Sequence, residues 1–342
     1  MSTPLCRNDI LHWLCEDDPV RLEELWRAAD ECRRQHVGDS VHLRGLIEIS
    51  NYCIRQCAYC GIRAANCSIT RYRMSQQEIL ECARQAMPLG YGTVVLQAGE
   101  DPALTKEWVA ELIRRIKQET GLAVTLSLGE RSPVELTAWR EAGADRYLLR
   151  IETSNSALFR RIHPPRQGAG ATTLSRVDQL ALMRQLGYEI GSGSLIGIPG
   201  QSWHDLADDL MRYAQLDLDM IGVGPFIPHP ETPLGSLPES IDPQGQVPNS
   251  EEVTYRVMAL ARILCPQANI PSTTALATVN PNSGRELGLR RGANVIMPNL
   301  TPAAYRQLYE IYPSKACLSE SAEQSRGWVR DRIGRASCRE RV

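Results

Sequence analysis

Eight short apolar runs alternate with longer amphipathic stretches along most of this chain. They are GLIEIS (Gly45–Ser50), TVVLQ (Thr93–Gln97), AVTLSL (Ala123–Leu128), RYLLR (Arg146–Arg150), GSLIGI (Gly193–Ile198), MIGVG (Met220–Gly224), NIPSTT (Asn269–Thr274) and NVIMP (Asn294–Pro298). Runs this short predict strands. The stretches between them, such as SQQEILECARQAMPLG with Ser75 as N-cap and Gly90 as its end, predict helices. Strand–helix alternation implies a parallel sheet, and eight strands are the number that closes a barrel. The expected fold is therefore α/β, a complete (β/α)8 TIM barrel, with functional residues in the loops that follow strand C-termini.

Residues 1–40 show helical periodicity, with Leu22, Leu25, Trp26 and Ala29 on one face, and predict an N-terminal helical extension. The barrel is expected over 41–315, followed by a short C-terminal segment, 316–332. The last ten residues, Ile333 to Val342, read IGRASCRERV. Back-translated as ATC GGA AGA GCG TCG TGT AGG GAA AGA GTG, they look like a sequencing-library adapter, and 333–342 are set aside with Cys338.

Lys and Arg (38) nearly balance Asp and Glu (40), which gives no long-range pull toward nucleic acid or an anionic membrane. No run approaches the about 18 apolar residues of a membrane helix, and the first residues do not read as a secretion signal. A cytoplasmic protein is expected. Eleven cysteines at irregular spacing do not form a secreted disulfide framework. Cys6, Cys15, Cys32, Cys82 and Cys265 sit singly in apolar helical surroundings and read as small buried hydrophobes.

Three other cysteines cluster in SNYCIRQCAYCGIR (Ser50–Arg63), where Cys53, Cys57 and Cys60 are spaced C-x3-C-x2-C. A structural zinc site wants a fourth Cys or His nearby. Cys67 is near, but its spacing fits no zinc pattern and it reads as a loop thiol. A cubane iron–sulfur cluster, by contrast, is held on three corners by three thiolates and keeps its fourth iron open to a small molecule.

This spacing, with aromatic Tyr59 before the last cysteine, resembles the signature of the radical S-adenosylmethionine (radical-SAM) superfamily. The resemblance implies one 4Fe-4S cluster on Cys53, Cys57 and Cys60, and S-adenosylmethionine (SAM) on the open iron. It also implies reductive cleavage of SAM to methionine and a 5'-deoxyadenosyl radical. In LQAGEDP, Gly99 and Glu100 match the motif that meets the SAM amino group. In LLRIETSN, Arg150 and Glu152 are expected two apart on one strand face, Glu152 toward SAM and Arg150 toward the cavity as a catalytic residue. A satisfied internal salt bridge is the alternative reading. Arg176 matches the arginine that meets the SAM carboxylate, and Ile198 in SLIGIPGQ the residue lining the adenine.

The segments YGTVVLQAGEDP, DMIGVGPFIPHPETPL, IPSTTALAT and GANVIMPNLTPAAYRQLYEIYP resemble the HydE family of FeFe-hydrogenase maturases, from about Val41 to Pro313. The resemblance implies a small organometallic substrate, an iron carbonyl cyanide species bearing cysteine. It also implies the partner maturases HydG and HydF and a reductant such as ferredoxin or flavodoxin. An anionic polar guest would suit Arg146, Arg150, Thr273, Thr274, Tyr305 and Arg306 as donors, with Met297 as an apolar wall. Ile151 stands where family members often carry histidine, and HPPRQGAGATTLSR (His163–Arg176) reads as an extended loop. Only Cys317 precedes the adapter-like tail, so no second cluster is expected. The rival readings are biotin synthase, which needs further cysteines inside the barrel, methylornithine synthase, and a non-catalytic iron–sulfur carrier, which would leave SAM intact.

Overall fold

The computed structural model describes residues 5–165, 174–237 and 245–316, with Gln324 and Gly327. Its strands are β1 (His42–Ser50), β2 (Thr93–Ala98), β3 (Ala123–Ser127), β4 (Arg146–Leu148), β5 (Glu189–Ser192), β6 (Leu195–Ile196), β7 (Met220–Ile221), β8 (Gly224–Pro225) and β9 (Val295–Ile296). Seven form one parallel sheet in the order β7-β5-β4-β3-β2-β1-β9, and β6 pairs separately with β8. The sheet curls until both of its edges reach one segment. Met220 bridges Asn269, and Pro271 bridges Val295.

Two of the expected strands differ. NIPSTT is reduced to those two bridges, because Pro271 lacks the N–H that a ladder needs. The fifth sheet strand is Glu189–Ser192, ahead of GSLIGI. Gly193 takes a φ of 157°, and the chain then leaves the sheet so that Leu195–Ile196 pairs with Gly224–Pro225. The apolar run marked the second of two short extended pieces, while the glycine-bearing first piece joins the sheet.

Strand β1 shows how the sheet makes an inside and an outside. Leu43, Ile47 and Ile49 pack in the main hydrophobic core, while Arg44, Leu46 and Glu48 line an internal cavity. The period of two in a strand sets that division. Helix Gln76–Ala86 begins at Ser75 with a capping box to Glu78, so its start was written locally. The extension forms helices Arg7–Leu14 and Pro19–Val37, which pack on helices Trp203–Gln215 and Glu251–Leu264. Leu25, Trp26 and Ala29 are buried. Among the single cysteines, Cys82 and Cys265 are buried and Cys32 half-buried, but Cys6 and Cys15 are exposed. They stand at the ends of Arg7–Leu14, outside its packed face. Residue Cys317, the adapter-like tail and most of the 163–176 loop lie outside the described residues.

Asp209, buried on helix Trp203–Gln215, accepts a 2.5 Å hydrogen bond from the Ser154 backbone and so holds the loop after β4. Burial raises its pKa from 3.8 to about 7 against the hydrogen bonds from Ser154. A raised carboxylate stabilises the fold fully below the unfolded value, and that stability is lost as pH rises through about 7. Between pH 5 and pH 8 we expect wild type to lose about 2 to 3 kcal/mol more than Asp209→Asn. Thermal melts across that range check this, and parallel pH slopes in the two proteins would refute it.

Candidate active site

The cysteine loop follows β1 and is seated by backbone hydrogen bonds to three separate segments. Ile54 N donates to Glu100 O at 3.0 Å, Ala58 N to Ile162 O at 2.8 Å, and Gly61 N to Ile311 O at 2.9 Å. Gly99, at the end of β2, permits this seat. A Cβ there would stand 2.3 Å from Tyr52 O and 2.7 Å from Cys53 Cβ. Cys53, Cys57 and Cys60 all line one cavity of about 350 Å³ inside the curled sheet. Cys57 is buried, with Sγ 2.9 Å from His163 Nδ1.

The donor set fits a three-thiolate cluster better than a single ion. Among the described residues, only Glu100, Glu130 and His163 bring three potential ligand atoms within 4.8 Å of one another. None of the three cysteines belongs to that group. That carboxylate–histidine group is itself engaged by arginines: Arg55 stands 3.7 Å from Glu100 and 3.4 Å from Glu130, and Arg176 3.0 Å from Glu130. Burial pushes the Cys57 thiol well up and Cys60 up to about 12, so metal loading must release protons. Among the described residues, no other cysteine lines the cavity.

Around the thiols stands a ring of charge. Burial raises Glu100 despite Arg55. For Glu130 burial opposes ionisation, but His163, Arg176 and Arg55 bring it to about 2. Arg176 opens helix Arg176–Gln185 and is a largely enclosed residue, not a surface one. It donates to Glu130 at 3.0 Å and to Arg150 O at 2.5 Å, and its Nη2 lies 2.7 Å from His163 Nε2.

Arg150 and Glu152 differ from expectation, because β4 ends at Leu148 and both lie beyond it. Glu152 takes a left-handed φ of 61°, a conformation costly for a non-glycine and typical of sites held for function. Arg150 Nη2 and Glu152 Oε2 approach to 3.0 Å. Yet neither atom makes a hydrogen bond, so they are close but misaligned. The salt bridge is not a satisfied one. Tyr59 Oη donates to the other Glu152 oxygen at 3.3 Å. Ile198 is buried among Ala58, Leu158, Ile162, Phe226 and Leu234 and is absent from the cavity wall. Tyr59 and Leu195, which are on that wall, pack against its cluster.

Of the expected substrate-side residues, Thr273, Thr274 and Met297 line the cavity, and Thr273 Oγ1 is buried without a hydrogen bond. Arg146 does not line it. It starts β4 at the far end of the sheet, where it pairs with Glu189 at 2.5 Å and donates to Thr93. Tyr305 is also elsewhere, stacked on Tyr72 and donating to Glu78 at 2.8 Å. Arg306 is spent on the carbonyls of Asn299 and Thr301. Ile151 is buried in the core. The residues that reasoning from sequence missed include Glu48, Thr125, Tyr312 and Lys315, all on the wall. Lys315 pairs with Glu48, and Asn299 donates to Glu48 at 3.0 Å. The alternation of β1 could have flagged Glu48, whereas nothing local marks Tyr312 or Lys315.

Residues 47–212 match the profile of the radical SAM superfamily. The solved structure of a methylornithine synthase superposes with a TM-score of 0.81 at 26% identity, covering 99% of this chain and 95% of that one. The HydG maturase of Carboxydothermus hydrogenoformans shares the fold, with a TM-score of 0.71 at 20% identity over 86% of this chain and 68% of its own. In sequence, the [FeFe] hydrogenase maturase subunit HydE of Thermotoga maritima is 48% identical over 298 residues, 87% of this chain and 81% of the relative. A 3-methylornithine synthase of Methanosarcina barkeri is 29% identical over 300 residues, 87% of this chain and 80% of its own. The chain belongs to the HydE family of radical SAM enzymes.

Proposed function

We propose that this enzyme cleaves SAM in the maturation of FeFe-hydrogenase and acts on an iron carbonyl cyanide species bearing cysteine. The observation that carries the reading is one cavity shared by three cysteines and by the misaligned Arg150–Glu152 pair. One 4Fe-4S cluster would be held by Cys53, Cys57 and Cys60. When bound, that cluster and SAM would supply reductive cleavage of the sulfonium, yielding 5'-deoxyadenosine once a hydrogen atom is taken up.

The chain's own part is to bind, orient and exclude water. Glu100 and Glu152 are buried carboxylates suited to an ammonium, and Arg176 is a largely enclosed cation suited to a carboxylate. Tyr59 steadies Glu152, and Gly99 lets the cysteine loop approach. Arg150, Thr273, Thr274 and Met297 would face the substrate. We infer that the curled sheet is a complete (β/α)8 barrel with 269–271 as its eighth stave, a reading supported by the bridges to both edges. HydG as the source of the substrate, HydF as the recipient, a ferredoxin or flavodoxin as reductant and a cytoplasmic setting complete the proposal. Among the described residues no helix is long and apolar enough to cross a membrane.

Glu152→Gln tests the SAM site. In anaerobically reconstituted, reduced protein we expect 5'-deoxyadenosine formation about 10- to 100-fold below wild type, the cost of one buried charged hydrogen bond. The cluster absorbance should be unchanged. Wild-type rates in the variant would remove Glu152 from the site.

A further inference from the structure

Four glycines stand on the cavity wall among the described residues: Gly99, Gly129, Gly222 and Gly224. Three have a reason in their own surroundings. A Cβ on Gly99 would strike Tyr52 O. Gly129 has a φ of 78° and would strike Glu100 at 2.1 Å. A Cβ on Gly224 would crowd Thr273 Oγ1 at 3.2 Å and Ala275 Cβ at 3.3 Å.

Gly222 has no such reason. Its φ lies outside the left-handed region, and a Cβ there would meet nothing within 4 Å. Glycine in extended chain costs about 0.5–1 kcal/mol relative to alanine, so neither backbone nor packing accounts for it. Its neighbours in sequence, Ile221 and Val223, are buried in the core, which leaves position 222 directed inward.

The surroundings on either side are polar and unsatisfied. Gly193 lies against it, since a Cβ on Gly193 would stand 1.9 Å from Gly222 O, and Gly193 O accepts from Glu152 N at 3.0 Å. On the other side Thr273 closes on Gly224, two residues along. Glu152 Oε2, Arg150 Nη2 and Thr273 Oγ1 are all buried without hydrogen bonds.

We propose that Gly222 is a specificity-determining position: the bare backbone against which the bulk of the substrate seats, between the Arg150–Glu152 side and Thr273. The guest that fits is compact and polar, and wider than a chamber with any side chain at 222 would admit. This rests on the maturase reading above and adds to it the surface that sets substrate size.

The test compares Gly222→Ala and Gly222→Val with wild type in three measurements. They are cluster absorbance with thermal melting, 5'-deoxyadenosine formed from SAM and dithionite alone, and hydrogenase activation on titrating in the filtrate of a HydG reaction with HydF and apo-hydrogenase. We expect cluster content and melting to match wild type, because nothing lies within 4 Å of the added Cβ. SAM cleavage should stay within about twofold, while activation falls about tenfold or more in the valine variant. Alanine should raise the filtrate concentration needed for half-maximal activation and spare the plateau. Activation unchanged in both variants would overturn the proposal. So would parallel loss of SAM cleavage in correctly folded, cluster-loaded protein, which would give the space to SAM. Wild type that cleaves SAM yet activates nothing would instead refute the maturase reading, and the substrate assignment of Gly222 with it.

Discussion

Replacing Cys57 with alanine abolishes 5'-deoxyadenosine formation and removes the iron–sulfur absorbance of the reconstituted protein. The expectation follows from arithmetic at the metal. Three thiolates are the fewest that hold a cubane with one iron open, and among the described residues no further cysteine lines the cavity to replace one. Cys57 is also the most enclosed of the three. It is buried, whereas Cys53 and Cys60 are partly exposed, and the nearby His163 is turned toward its sulfur. The effect should therefore be loss to below detection, measured by anaerobic product quantification beside an iron and sulfide assay. Undiminished SAM cleavage in a cluster-free variant would end the assignment. Wild type that holds a reducible cluster and leaves SAM intact would point to an electron carrier.

Gly99→Ala is expected to have the next largest effect, and for a purely steric reason. The backbone at Gly99 is not left-handed, so alanine is not strained by its φ. The added methyl would meet Tyr52 O at 2.3 Å and Cys53 Cβ at 2.7 Å. Both belong to the loop that must bring Cys53 to the cavity, and neither is the far end of a flexible chain. We expect a loss of about 1–3 kcal/mol in stability, less than half of the wild-type cluster content and SAM cleavage about tenfold or more below wild type. A useful contrast is Gly121→Ala at a helix end. There φ is 66° but nothing lies within 4 Å, so about 1 kcal/mol of backbone strain is expected with the cluster unaffected. Equal cluster loss in both variants would show that Gly99 matters through general stability and not through the seat it leaves for Cys53.

Much of the scaffold is written in short spans of chain. The apolar runs at Thr93–Gln97 and Ala123–Leu128, and the Ser75 capping box, depend on neighbours within a few residues. Local pattern therefore carried them. The C-x3-C-x2-C spacing is equally local, as one loop must present all three thiols. Where a single residue altered a ladder, as Pro271 does, the pattern named a strand that the backbone could not complete.

Which side chains share the chamber is a different kind of fact. Arg146 and Arg150 are four residues apart in one run, yet one is fixed to Glu189 at the far end of the sheet and the other is beside Glu152. Tyr305 is drawn to Glu78 by contact with a helix more than two hundred positions earlier, while Tyr312 and Lys315 reach the wall because the C-terminal stretch passes over the cysteine loop. The sequence alone determined the alternation of strands and helices and the three thiols at the end of the first strand, since both arise from bonded neighbours and strand period. Only the tertiary structure decided the membership of the cavity, because burial and ion pairing are settled by whatever distant segment comes to lie against each side chain.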